Sequence, residues 1–229
     1  MTARSGFRRG GSARGVAITL CILHEDMPPL PKKRTAGPTD KPGRIRIIGG
    51  AYRRTPIAVP DIPGLRPTPD RVRETVFNWL RHLLGGDFAG IRAVDCYAGS
   101  GALGFEMASR GASRVVLVEK NARAAEALRE LQRKLGAGNV EVVQADWKLA
   151  AARLPPASFD VAFLDPPFGA GLLPPALDAV KPLLAPGGIV YAEAADPLTA
   201  EALQPLGLEL VRADRAGAVH YHLLRRRAS

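Results

Sequence analysis

The 229 residues are 46% hydrophobic and carry 32 Lys and Arg against 22 Asp and Glu, a formal net charge of +10. That supports one good-sized core, and the charge favours a polyanionic partner, nucleic acid before membrane, although a solvated basic surface has the same composition. Two distant cysteines, Cys21 and Cys96, argue against a disulfide framework and fit a reducing, cytoplasmic compartment. His24, His82, His220 and His222 stand at no metal-ligand spacing and no apolar run reaches the length of a membrane span, so neither a metal nor a membrane is expected.

Residues 1–43 read as a disordered basic leader, with Gly10-Gly11, Pro28-Pro29, Arg4, Arg8, Arg9, Arg14 and the run Lys32-Lys33-Arg34. The apolar patch at 16–23 also suits a short signal peptide or an Arg-rich transit peptide, and Met27 is an alternative start. Order is expected from Arg44. Residues 44–48 alternate as a strand, Gly49-Gly50 break it, and 51–59 return as a hairpin partner, which groups Arg44, Arg46, Arg53 and Arg54 around Tyr52. A loop over 60–69 precedes a helix that Asp70 is expected to cap. It runs to about residue 84 with Val72, Val76, Leu80 and Leu83 on one face and Arg71 and Arg73 in its first turn. Three parts result: the leader 1–43, a hairpin-and-loop extension 44–68, and a domain over 69–229.

From residue 91 strands and helices alternate. Strands are predicted at 91–95, 114–118, 140–143, 160–164, 189–192, 208–211 and 218–224, and helices at 102–110, 122–135, shortly after Asp146, 174–184 and 198–203. This βαβα order predicts an α/β, mostly parallel sheet covered by helices on both faces, with an antiparallel strand at its end.

Chemistry concentrates where strands stop. Gly99-Ser100-Gly101-Ala102-Leu103-Gly104 matches G-x-G-x-x-G between a strand and a helix, and Glu119 lies about 20 residues on, where an acid takes ribose hydroxyls. Such glycines also serve tight strand–helix packing. Asp95 would repel a pyrophosphate but can accept from a ligand ammonium, which favours S-adenosylmethionine over NAD. Asp146 suits either the adenine amino group or a helix N-cap, and Trp147 beside it suits stacking or core packing. Asp165-Pro166-Pro167-Phe168 ends an apolar strand on an acceptor, a stiff carbonyl and a flat ring. That is either an ordinary Pro-rich turn or a clamp for an amino group on a planar base.

Asp95-Cys96-Tyr97-Ala98-Gly99-Ser100-Gly101 followed by Asp165-Pro166-Pro167-Phe168 resembles the class I S-adenosylmethionine-dependent methyltransferases that modify exocyclic amino groups. Upstream, Arg44-Ile45-Arg46-Ile47-Ile48-Gly49-Gly50 and the run from Gly64 through Arg66-Pro67-Thr68-Pro69-Asp70-Arg71-Val72-Arg73-Glu74 to Leu80 resemble the RsmD family, which methylates N2 of a guanine in bacterial 16S ribosomal RNA. Where that family tends to have an Arg-Gly-Arg-like segment, this chain has Arg53-Arg54-Thr55-Pro56. The resemblance implies a seven-stranded Rossmann-like sheet of order 3-2-1-4-5-7-6, strand 7 antiparallel, with an N-terminal β-hairpin extension. It implies S-adenosylmethionine as cofactor, held by Thr68, Asp95, Tyr97, Ala98, Gly99, Ser100, Gly101, Glu119, Lys120, Asp146, Trp147 and Asp165. Catalysis would fall to Asp165, Pro166, Pro167 and Phe168, and contacts to 16S ribosomal RNA in the small subunit or an assembly intermediate to Arg44, Arg46, Arg53, Arg54, Arg66, Arg71 and Arg73. A monomer is the default expectation. An adenine-N6 methyltransferase of DNA or RNA shares the tetrapeptide's chemistry. An NAD-dependent oxidoreductase and a non-catalytic RNA-binding factor are the alternatives from other classes.

Overall fold

A computed structural model describes residues 44–62, 67–167 and 171–227. The leader, Gly64, Leu65, Arg66 and Phe168 therefore lie outside the described residues. Among the described residues no helix is long and apolar enough to cross a membrane.

Seven strands form the main sheet: β3 (Arg92–Asp95), β4 (Arg114–Glu119), β5 (Val140–Gln144), β6 (Phe159–Leu164), β7 (Leu184–Ala194), β8 (Leu208–Ala216) and β9 (Val219–Arg226). Their order is β5-β4-β3-β6-β7-β9-β8, and β9 runs antiparallel to both neighbours. Counted within the sheet this is the expected 3-2-1-4-5-7-6. The central strands are apolar on both faces: Ala93, Val94, Val115, Val116, Leu117, Val161, Ala162, Phe163 and Leu164 are all inaccessible to solvent. A parallel strand covered by helices on two sides requires that composition.

Helix α3 (Ala122–Leu135) shows the sequence signals plainly. The Asn121 side chain accepts from the Arg123 and Ala124 N–H groups, Ala124, Ala125, Leu128 and Leu131 face the core, and a left-handed Gly136 ends it. Helix α2 (Ala102–Ser109) is different, because all of its residues are buried, Glu106 and Ser109 among them. The sheet covers one side and the N-terminal segment the other.

That segment is shorter in strand than expected. Only β1 (Arg44–Arg46) and β2 (Pro56–Ala58) pair, and residues 51–54 form a turn. The reason is docking. The Ala51 N–H donates to the Ser109 carbonyl, the Tyr52 N–H donates to Ser109 Oγ, and that hydroxyl donates to the Gly49 carbonyl. Gly50 has φ +77°, and a Cβ there would lie 1.8 Å from the Ser109 oxygen. The backbone thus sits directly on the end of α2. Ile47 and Ile57 join the same core as Val76, Phe77 and Leu80 of helix α1 (Asp70–Leu83). Asp70 does not cap α1. It is the first helical residue, its N-cap is Pro69, and its carboxylate is ion-paired instead to Arg46 and Arg73.

The remaining differences are at ends. Beyond Asp146 lies α4 (Trp147–Ala151); α5 (Leu173–Val180) passes into a 3-10 turn, and α6 is Ala200–Leu203. Strand β7 begins early, at Leu184, because Phe159 pairs with Leu184 before a register shift brings Val161 opposite Ile189.

Candidate active site

The carboxyl ends of the five parallel strands β3 to β7 each present an acid. Asp95 and Glu119 end β3 and β4, Asp146 and Asp165 follow β5 and β6, and Glu193 is the penultimate residue of β7. Successive strands run outward in one direction from β3 and in the other from β6. A crevice is expected at the carboxyl edge of such a switch point. A cavity of about 520 Å³ opens there, and all five acids line it, with Thr68, Tyr97, Ala98, Gly99, Ser100, Lys120, Trp147, Pro166 and Pro167. Its size is that of a small-molecule site.

Of the residues expected at the cofactor, Gly101 is not in the lining. It has φ +82°, and a Cβ there would come 2.6 Å from Leu128 and Phe105. Gly101 serves the turn and the packing of α2 rather than the approach of a ligand. A Cβ on Gly104 would lie 2.0 Å from Leu117, so the last glycine of the motif lets α2 sit close to β4. Glu119 braces the loop: its carboxylate accepts from the Gly99 N–H at 2.9 Å and the Asn121 N–H at 2.7 Å. Asp146 combines both of its expected positions, accepting from the Lys148 N–H as N-cap of α4 while lining the cavity. Trp147 is buried and packs at 5.8 Å against Tyr97, whose hydroxyl is buried with no partner among the described residues.

The lining is net acidic, five carboxyls against Lys120 and Lys148. Burial pushes Asp95 up to about 7, against the pull of the Tyr97 and Gly104 backbone N–H groups and with a further push from Glu119. Asp165 is held well above the ordinary carboxylate range, first by burial and then by Glu193 and Asp95. Glu193 is raised by burial, although the Tyr191 and Thr68 hydroxyls that donate to it oppose the shift. Repelling carboxyls in a low-dielectric pocket are relieved by a cation. The residues present thus fit a methyl donor that bears positive charge, and disfavour a pyrophosphate.

Two residues differ from what the sequence suggests. Glu193 lines the cavity but stands inside β7 with no motif around it. Arg73, expected to contact RNA, is fully buried. Its Nε donates to the Thr68 carbonyl, Nη1 to Glu106, and Nη2 to the Arg46 carbonyl and Asp70. A guanidinium so engaged has no face left for phosphate. Arg46 is exposed but ion-paired with Asp70 at 3.3 Å. Arg53, Arg54 and Arg71 are exposed. For Arg44 only the backbone is described.

The sheet order, the glycine turn after its first strand and the Asp-Pro-Pro after its fourth define a class I methyltransferase. Structural neighbours agree: a putative methyltransferase yhhF from Escherichia coli superposes with a TM-score of 0.69 at 37% identity over 82% of this chain and 100% of that one. Residues 45–225 match the family described as "Conserved hypothetical protein 95", and the chain belongs to it, the RsmD family. It is 39% identical over 189 residues to the Ribosomal RNA small subunit methyltransferase D of Escherichia coli, covering 81% of this chain and 92% of that one. To the protein of that name from Haemophilus influenzae it is 35% identical over 188 residues, 79% and 93% of the two chains.

Proposed function

We propose that this chain transfers a methyl group from S-adenosylmethionine to the exocyclic N2 amino group of a guanine in 16S ribosomal RNA, in the small subunit or an assembly intermediate in the cytoplasm. The observation that carries the reading is Asp165, a half-buried carboxyl ahead of rigid Pro166-Pro167 in an acid-lined cavity, in a chain 39% identical to a protein named for this ribosomal RNA. Asp95 would take the cofactor's ammonium, the Ser100 backbone N–H its carboxylate, Glu119 the ribose hydroxyls and Asp146 the adenine amino group. When bound, S-adenosylmethionine supplies an electrophilic methyl group on sulfonium.

The remaining work is alignment, which contributes about 7–11 kcal/mol in favourable systems. A guanine amino group is a poor nucleophile because its lone pair is delocalised into the ring. Asp165 and the Pro166 carbonyl each accept one of its N–H bonds, which favours a pyramidal nitrogen with its lone pair turned away from the clamp. Positive charge develops on that nitrogen, so both hydrogen bonds strengthen toward the transition state, the condition for acceleration. The methylated ammonium is acidic and Asp165 need not be a strong base. The target base must leave its stack to enter, and Phe168 would receive it face to face.

The test is incubation with labelled S-adenosylmethionine and, separately, small subunits, naked ribosomal RNA and DNA, read by nucleoside mass spectrometry. N2-methylguanine in ribosomal RNA is expected; N6-methyladenine would overturn the reading in favour of the adenine alternative. For the RNA surface, Arg53→Ala, Arg54→Ala and Arg71→Ala together should weaken binding. They should also flatten the log K against log salt slope by about 0.7–0.9 for each phosphate that is no longer neutralised. An unchanged slope in a filter-binding titration would mean a merely solvated face.

A further inference from the structure

We propose that Glu193 is the residue that selects guanine, accepting from the base's ring N1–H while Asp165 holds its N2 amino group; this rests on the guanine-N2 reading above. The placement comes from register. Phe163 pairs with Tyr191 and Leu164 with Ala192 across β6 and β7. One step further stand Asp165, just past the end of β6, and Glu193 on β7, two carboxyls leaving strands about 4.8 Å apart. Side chains alternate along a strand, so both project to the side of Phe163 and Tyr191.

Glu193 also lies away from the acids assigned to the cofactor. Asp95, Glu119 and Asp146 stand at the ends of β3 and β4 and just after β5, whereas β7 is on the far side of β6. Thr68 Oγ1 donates to Glu193 Oε1 at 3.2 Å and Tyr191 Oη donates to the same oxygen at 2.6 Å. No bond to Oε2 is found among the described residues, and that oxygen is not among the sealed-off polar atoms. Glu193 is 6% exposed and lines the cavity. A carboxyl pinned through one oxygen by two hydroxyls, with the other free at a cavity wall, is a prepared acceptor.

The chemistry answers what the Asp-Pro-Pro stretch alone leaves open. Guanine presents adjacent donors, N1–H and the N2 amino group. Adenine presents the N6 amino group beside an N1 with no hydrogen. Two adjacent acceptors match the first pattern, whereas the second would set adenine N1 against a carboxylate and leave a buried acceptor unpaired.

The probe is 2-aminopurine, which keeps an amino group at C2 but has an unprotonated N1. Small subunits are reconstituted with 16S RNA carrying guanine or 2-aminopurine at the modified position, and kcat/KM is measured for both. Wild type should prefer guanine by about 10- to 100-fold, the discrimination of one good base contact. In Glu193→Ala the preference should fall to within about threefold, through loss on guanine only, with S-adenosylmethionine affinity within a fewfold of wild type by calorimetry. Glu193→Gln keeps the volume and one acceptor, should give an intermediate ratio, and serves if the alanine variant fails to fold. Equal losses on both bases, or a wild type that does not prefer guanine, would overturn the role and leave N2 methylation standing. N6-methyladenine as the wild-type product would instead remove the reading on which it rests.

Discussion

Asp165→Ala will lower methyl transfer by about 10²- to 10³-fold while S-adenosylmethionine binds within a fewfold of wild type. The magnitude is that measured for one preorganised hydrogen bond to developing charge, applied here with the signs reversed, an acceptor facing a nitrogen that becomes positive. The resemblance also places Asp165 at the cofactor, but the main polar contacts proposed for the donor fall to Asp95, Glu119 and Asp146, so only a fewfold change in affinity is expected. Single-turnover kinetics with saturating donor check the rate and calorimetry the affinity. Equal single-turnover rates in the two proteins would remove Asp165 from the mechanism.

The same variant carries a second signature. Burial, then Glu193 and Asp95, hold the Asp165 carboxyl well above its ordinary range. A group whose pKa is higher folded than unfolded favours the fold below the unfolded value and loses that contribution as pH rises through the folded one. Wild type should therefore lose stability relative to Asp165→Ala as pH climbs from the ordinary Asp range upward. At neutral pH the variant should be equal to wild type or more stable by up to about 1 kcal/mol, the usual sign when a strained site is relieved. A packing residue would behave oppositely, losing stability along with activity. Denaturant titrations at several pH values distinguish the two.

How far the sequence can be read depends on how local each signal is. The sheet order is legible because apolar strands alternate with helices whose ends carry their own punctuation, Asn121 and Gly136 on α3 for instance. Asp95, Glu119, Asp146 and Asp165 are legible because each sits where a strand stops. Glu193 is not singled out, although it directly follows the strand predicted at 189–192, because no glycine turn or Asp-Pro-Pro marks it; β7 in fact runs one residue past it. Arg73 reads as surface because Arg71 shares its turn. Yet two residues along a helix are about 200° apart. Arg73 falls with Val76, Phe77 and Leu80 on the buried stripe, and Arg71 points outward. Glu106 has its own mark, a lone acid in the apolar run of α2, but its partners are non-local, at Ile48, Gly49 and Arg73 as well as nearby Arg110.

Glu106→Ala should be the most destabilising of these substitutions, by about 3–5 kcal/mol, the cost of removing one partner from a buried ion pair. Glu106 and Arg73 are both inaccessible to solvent. Glu106 Oε2 accepts from the Ile48 N–H at 2.7 Å and Arg73 Nη1 at 3.4 Å, while Oε1 accepts from the Gly49 N–H at 2.9 Å and Arg110 Nε at 2.7 Å. Alanine would leave two backbone donors unpaired and the Arg73 charge with Asp70 as its only acid. Because Arg73 also binds the Thr68 carbonyl, and the Thr68 hydroxyl binds Glu193, the loss would pass from the hairpin to the wall of the cavity. At about 2–4 °C per kcal/mol for a chain of this size, the thermal midpoint should fall by about 6–20 °C. Within residues 44–227 limited proteolysis should then cut first between β1 and β2, where the segment has lost its bonds from Ile48 and Gly49 to α2. The paired change Arg73→Met with Glu106→Gln removes both charges, and it should recover part of the loss of either single variant in a double-mutant cycle. If Glu106→Ala unfolds at the wild-type midpoint, the hairpin is held by its hydrogen bonds to Ser109 and its apolar contacts at Ile47 and Ile57, and the buried carboxylate is dispensable.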